Sequence, residues 1–170
     1  LDGDGQMDPA MINRFAAPIL AGRADYTKGN RFFRLNSLRD MPGTRIFGNA
    51  VLSFLTKLSS GYWSIFDPTN GFTAIHAKVL RELPLDAVSD RWFFESDMLF
   101  RLGTLSAVVE DVPLDAVYSD EVSSLKISHV MFEFPGKHLA NLGKRIVYNY
   151  FLRDFSLASL QLLAGAIFLS

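Results

Sequence analysis

Apolar positions recur at helical spacing near the start of the chain. From Asp8 to Ala21, Met11, Ile12, Phe15 and Ile19 share one face, and Gly22 follows as a stop. Ala24 to Thr27 reads as a short strand. Lys28 to Gly43 reads as a loop rich in Arg, Asn and Gly, closed by Met41-Pro42-Gly43. Arg45 to Ser59 returns to helical spacing through Ile46, Val51, Leu52, Leu55 and Leu58. Tyr62 to Phe66 predicts a short aromatic strand, and Asp67-Pro68-Thr69-Asn70-Gly71 has turn composition. Phe72 to Ile75 predicts a strand and the residues to Leu83 a short helix. Asp90 to Leu102 predicts a helix ending at Gly103, and Ser106 to Val112 a strand ending at a proline. Ser123 to Phe134 and Lys137 to Arg153 predict two helices separated by Pro135-Gly136. Strands and helices alternate through residue 112, the pattern of an α/β sheet. Beyond it the chain is helical and increasingly apolar.

Composition changes the picture in four places. The 170 residues suffice for one domain with a sizeable core. A net charge of −1 gives no basic field of the kind nucleic acid requires. With no cysteine, disulfides, thiolate zinc sites and a cysteine nucleophile are excluded. The 49% apolar content is high for a soluble domain, and the excess lies at the C-terminus. Phe155 to Ser170 carries no charge. That run is shorter than the ~20 residues of a full span, and it reads as the start of a membrane helix that the chain end interrupts. Just before it, Lys126, Lys137, Lys144, Arg145 and Arg153 stand against Glu133 alone. Phe132, Phe134, Tyr148, Tyr150 and Phe151 are interleaved with them. A basic, aromatic segment beside an apolar run predicts interfacial anchoring and cytoplasmic placement.

The opening Leu1-Asp2-Gly3-Asp4-Gly5-Gln6-Met7-Asp8-Pro9 carries the candidate chemistry. Two carboxylates one residue apart and a nearby amide offer oxygen ligands to a hard divalent cation. Mg2+ in particular takes one or two carboxylates and leaves its other positions to water and phosphates. A calcium loop of the EF-hand type fits poorly, because Met7 stands where glycine is required and Asn13 where glutamate is. Asp8-Pro9 reads separately as a helix N-cap with proline at the first helical position. His76, His129 and His138 lack metal-ligand spacing and read as structural or interfacial.

Taken in order, these residues resemble the family-2 glycosyltransferases, and among them the polyprenyl-phosphate group of dolichol-phosphate mannose synthase. Asp2 to Pro9 resembles the D-x-D-G-Q-x-D-P signature. Lys28-Gly29-Asn30-Arg31-Phe32 resembles the G-[SN]-R-[FY] element. Arg45 with Gly48-Asn49 resembles an arginine-bearing helix start. Asp67-Pro68-Thr69-Asn70-Gly71-Phe72 resembles the D-x-[TS]-[SN]-G-[FY] turn. Glu110-Asp111-Val112-Pro113 resembles the E-x-P strand end, and Val122 to Lys126 the S-K-L-like element. There are two departures. Many relatives carry an arginine shortly after the E-x-P strand, and residues 114–120 have none. Arg91-Trp92 lacks the glutamine preface of the processive synthases' motif.

The resemblance implies the C-terminal half of a GT-A, Rossmann-like α/β domain over 1–122, the nucleotide-binding half preceding it. Amphipathic juxtamembrane helices would follow over 123–154 and the start of a membrane-spanning helix over 155–170. The implied reaction is inverting transfer of a hexose from a nucleotide-diphosphate sugar to a polyprenyl phosphate, on the cytoplasmic face of a membrane. Asp2, Asp4 and Gln6 would hold Mg2+ or Mn2+, which eases departure of the nucleoside diphosphate as a Lewis acid. An acceptor phosphate is already anionic, so it needs positioning more than deprotonation. Arg31 and Arg45 suit that role, since guanidinium engages phosphate bidentately. Asn49, Asn70, Gly71 and Glu95 fall on substrate-binding positions, and Asp97 is expected to orient or deprotonate the acceptor. Aromatic neighbours are expected to desolvate Glu95 and Asp97 and raise their pKa. One alternative keeps the fold and gives the acceptor a saccharide or cell-envelope glycan hydroxyl. A second is a non-catalytic, metal-binding protein anchored to the membrane.

Overall fold

Asp8 starts the first helical segment as the sequence predicts. Its carboxylate accepts from the Ala10 amide at 2.9 Å, and Pro9 sits where a missing N–H costs nothing. A 3-10 turn over Pro9–Met11 leads into α1 (Ile12–Leu20), which Gly22 terminates in the left-handed conformation, φ +68°. The computed structural model describes residues 8–32, 43–114 and 127–169, without the side chains of Thr44, Arg45 and 127–132.

The fold is mixed α/β, mostly helical around a small sheet. β1 (Tyr26–Asn30) lies in the middle, antiparallel to β2 (Thr73–Ile75) and parallel to β3 (Val109–Pro113). Tyr26 pairs with Ile75 on one side and Val109 on the other, and Asn30 faces Pro113 at the far end. Every residue of β1 is buried, as a strand covered on both faces must be. This corrects the expected strand of Ala24–Thr27: pairing begins two residues later and consumes three residues assigned to the loop. Lysine, glycine and asparagine are weak strand formers. Here two flanking partners impose the extended conformation.

The remaining helices are α2 (Gly43–Ser60), α3 (Ala77–Glu82), α4 (Phe94–Thr104), α5 (Ile127–Val147) and α6 (Leu157–Leu169). On one face of the sheet, Tyr26 packs with Ile65, Leu83, Met98, Leu99, Leu102 and Ala107. On the other, Phe15 of α1 meets Phe72 and Val112. The Phe15 and Phe72 rings stack with centroids 3.9 Å apart. Each fully buried side chain of this kind contributes about 1.5–3 kcal/mol.

Tyr62–Phe66 forms no strand, contrary to its aromatic pattern. The segment turns at Trp63-Ser64. Tyr62 instead sends its hydroxyl to the Ala107 carbonyl, and Ile65 enters the core. The two expected C-terminal helices are likewise one, α5, which runs through Pro135. Phe134, His138 and Asn141, spaced i, i+4, i+7, are all buried. Packing of that stripe on both sides of the proline outweighs the lost backbone bond. A π-helical segment, Tyr148–Arg153, follows, and Arg153 fastens it to the end of α4 through the Thr104 carbonyl at 3.0 Å and the Ser106 hydroxyl at 2.9 Å.

Of the apolar end of the chain, α6 spans thirteen residues, about 20 Å at helical rise. No described helix is long and apolar enough to cross a membrane.

Candidate functional site

β1 and β3 are parallel, and their carboxyl ends open beside the turn that precedes β2. Crevices at such strand ends are the usual ligand positions of α/β sheets. The fold brings Lys28, Asn30, Arg31, Asp67, Asn70, Glu95 and Asp111 around this point.

The β1 end grips the Asp67–Phe72 turn at successive residues. Lys28 Nζ donates to the Asn70 carbonyl, and the Gly29 amide donates to the Phe72 carbonyl at 2.8 Å. Asn70 Oδ1 accepts from the Phe72 amide at 2.8 Å, which sets the turn. A Cβ at position 29 would meet Leu114 Cδ1 and Asn70 Oδ1, so any larger residue would displace one of these side chains. Arg31 closes the grip on Asp67. Its Nε lies 2.8 Å from Oδ2, its Nη2 3.1 Å from Oδ1, and its amide 3.2 Å from Oδ2. Asp67 is fully buried, whereas the Arg31 side chain is 31% exposed.

Lys28 is fully buried. Alternation along β1 puts it on the same face as Tyr26. Burial pushes its ammonium down to about 8, against the attraction of Glu95, Asp67 and Asp111. Asp111 Oδ2 accepts from Asn30 Nδ2 at 2.8 Å and from the Phe66 amide at 3.1 Å, while its Oδ1 is buried without a hydrogen-bond partner among the described residues. Desolvation pushes that carboxyl above the usual carboxylate range, despite the Phe66 and Asn30 bonds and the nearby Lys28. Glu110, one residue earlier, points away and pairs with Arg23 at 3.4 Å on the surface. Asp111, two residues before Pro113, is therefore the acidic residue that the strand end presents to the cluster.

Of the sequence-predicted site residues, the structure places Arg31 and Asn70 at one turn, Arg31 through Asp67 and Thr69 and Asn70 through Lys28 and Phe72, with Gly71 next in it. Glu95, in the first turn of α4, is partly buried and acts electrostatically on Lys28 and Tyr26. Asn49 lies on α2, partly buried, and makes interactions of its own. Asp97 goes elsewhere. Two residues beyond Glu95, it faces α5 and the loop before α4. It accepts from Arg101 Nε, the Ser89 amide and Asn141 Nδ2, each at 2.9 Å. Asp2, Asp4 and Gln6 lie outside the described residues, as does the Arg45 side chain, whose backbone belongs to the first turn of α2. Among the described residues no group of three or more His, Asp or Glu is arranged to hold a metal.

Sequence reasoning missed Lys28, Asp67 and Asp111 as site residues. All three lay inside quoted motifs. The only signal was their place inside those motifs, since Lys28 read as the first residue of a loop.

No protein-family model matches the chain, and no solved structure does. Similarity to curated proteins is extended nonetheless. The chain is 28% identical over 119 residues to an uncharacterized protein of Methanocaldococcus jannaschii, covering 70% of this chain and 49% of that protein. It is 29% identical over 133 residues to the UDP-N-acetylglucosamine–dolichyl-phosphate N-acetylglucosaminyltransferase of Methanococcus voltae, covering 78% and 52%. It is 27% identical over 118 residues to the undecaprenyl-phosphate mannosyltransferase of Micrococcus luteus, covering 69% and 47%. The chain is a distant relative of polyprenyl-phosphate sugar transferases. It spans about half the length of the curated relatives it matches.

Proposed function

We propose that this chain is the acceptor-side part of a GT-A glycosyltransferase that moves a hexose from a nucleotide-diphosphate sugar to a polyprenyl phosphate. The observation that carries the reading is its similarity to two transferases named for polyprenyl-phosphate acceptors, over more than two thirds of its residues. The β1 end supplies what such an acceptor needs, a buried ammonium and a guanidinium held in a fixed plane. Both favour binding and orientation of an anion whose oxygen is already nucleophilic. The all-oxygen donor set of Asp2, Asp4 and Gln6 fits a hard cation such as Mg2+ or Mn2+, which would neutralise the departing diphosphate. On this reading Arg45, Asn49, Asn70 and Gly71 complete the acceptor side, and displacement is inverting.

The exposed Leu139, Val147, Leu152 and Phe155, continued by Leu157 and Ile167 of α6, support placement against a membrane. Lys144, Arg145 and Arg153 in the same stretch support its cytoplasmic face.

One observation favours a second reading, transfer to a glycan hydroxyl. Glu95, Asp67 and Asp111 surround Lys28 and Arg31, so the described cluster has an excess of carboxylates. A carboxyl raised by burial, as at Asp111, suits a general base. Incorporation from labelled nucleotide sugars by the full-length protein tests both. Transfer to polyprenyl phosphate and none to polyprenol or saccharide supports the first reading. The reverse result establishes the second.

A further inference from the structure

Other residues hold much of the turn that carries Asp67; Asp67 itself adds its carbonyl, 3.5 Å from the Asn70 amide, and its carboxylate, 3.4 Å from Thr69 Oγ1. Lys28 binds the Asn70 carbonyl, the Gly29 amide binds Phe72, and Asn70 Oδ1 binds the Phe72 amide. Ser53 Oγ donates to the Phe66 carbonyl at 3.1 Å, and the Phe66 amide donates to Asp111. The Asp67 carboxylate is spent mainly on Arg31. It receives Arg31 three times, and Thr69 Oγ1 at 3.4 Å. Thr69 Oγ1 also lies 3.4 Å from Arg31 Nη2. Two parallel bonds fix the plane of a guanidinium as well as its position. The carboxylate end is fully buried and the arginine side chain is 31% exposed, so the Nε–Nη2 edge is anchored from inside the fold while part of the side chain reaches the surface.

We infer that Asp67 is a positioning residue. It acts on the acceptor through Arg31 by fixing the guanidinium plane, and it touches no substrate itself. The inference rests on the reading of Arg31 as a phosphate-binding residue. It also explains why an acidic residue sits beside an anion site. The charge that Asp67 removes from the cluster is exchanged for orientation, and a preoriented donor loses less freedom when the anion arrives.

Full-length protein with farnesyl phosphate as a short acceptor tests this through a double-mutant cycle. Asp67→Asn keeps the shape but removes the charge and replaces one accepting oxygen with an NH2 donor. Asp67→Asn is expected to raise the acceptor KM about tenfold, the scale of one charged hydrogen bond, with the donor KM unchanged. Arg31→Ala should raise it by about ten- to a hundredfold. In the Arg31→Ala background, Asp67→Asn should add less than about twofold, because the group it acts through is gone. Millimolar guanidinium chloride should partly restore acceptor KM to Arg31→Ala and not to the double variant, a response that loss of packing does not produce. Additive effects, or equal rescue of both variants, would overturn the inference while leaving the phosphate reading intact. An unchanged acceptor KM in Arg31→Ala would overturn the phosphate reading, and the inference with it. Should Asp67→Asn not fold, Asp67→Ser takes its place in the cycle with the same outcomes.

Discussion

Lys28 Nζ donates to the main-chain carbonyl of Asn70 from a position with no solvent exposure. A carbonyl is a weak partner for a buried ammonium, and the charge is held largely by the field of Glu95, Asp67 and Asp111. Burial lowers this group from 10.5 to about 8. Between those values the unfolded chain keeps a proton that the native one releases. Stability attributable to Lys28 therefore rises with pH across that window. Tyr26 and Tyr62 are pushed up by burial and oppose it only once unfolded tyrosines ionise near pH ~10. Denaturation of the full-length protein in detergent should show a rise of up to about 1.4 kcal/mol per pH unit above about pH 8. Lys28→Met should flatten that slope. An identical slope in the variant would remove Lys28 as its source.

Glu95 and Asp97 should separate functionally. Asp97 anchors Arg101, Ser89 and Asn141, and breaking a buried charge pair typically costs about 3–5 kcal/mol. Asp97→Ala should lower the denaturation midpoint by that order, while acceptor KM in the protein that remains folded stays near wild type. Glu95→Gln removes a charge that faces Lys28 and should alter acceptor kinetics with little change in midpoint. The opposite pattern would return Asp97 to the site.

His138 is buried, with Nδ1 2.9 Å from Ser59 Oγ and its ring against Phe93 at 4.9 Å. Desolvation lowers its pKa to about 4. The unfolded chain then binds a proton near pH 6.5 that the native chain refuses. Stability is full above that value and is lost as pH falls toward 4, by up to roughly 3 kcal/mol. His138→Leu should remove this acid sensitivity and cost about 0.5–1.5 kcal/mol at neutral pH through the lost bond to Ser59, whose hydroxyl keeps its bond to the Thr56 carbonyl. Unfolding measured at both pH extremes decides it.

Gly29→Ala tests the closeness of β1 to the turn. The added methyl meets Leu114 and Asn70, and overpacking of this kind costs about 1–3 kcal/mol. Gly43→Ala, with no atom near its Cβ, is the control and should be nearly silent. Equal midpoints for the two variants would refute the tight approach.

Metal removal tests the acidic motif. Transfer by the full-length protein should stop in EDTA and return with Mg2+ or Mn2+, and Asp4→Ala should be inactive with either ion. Asp8→Ala loses the bond to the Ala10 amide and should cost about 1 kcal/mol of stability with activity retained. Full activity in EDTA would dismiss the metal.

Local signals were legible in the chain. The Asp8 cap, the Gly22 stop, the 67–71 turn and most helices follow from nearest neighbours along the sequence, and the structure shows them. What failed was non-local. Tyr62–Phe66 has strand composition but no partner strand. Pro135 signals a break that the buried stripe of Phe134, His138 and Asn141 overrides. Glu95 and Asp97 are indistinguishable by residue type, and only the helix phase separates them. Asp67 and Arg31 lie 36 positions apart, and nothing in either motif names the other as its partner.

That separation bears on how the molecule acquires its site. Lys28 must find Asn70 across 42 positions, and Asn30 must find Asp111 across 81. Such long loops close late, since their entropy is lost before any contact rewards it. The anchored guanidinium therefore exists only once the chain has folded across such separations, and no local segment contains it. On the reading of Arg31 as a phosphate-binding residue, a nascent or partly opened chain lacks the oriented guanidinium and would hold an acceptor less well than the folded one.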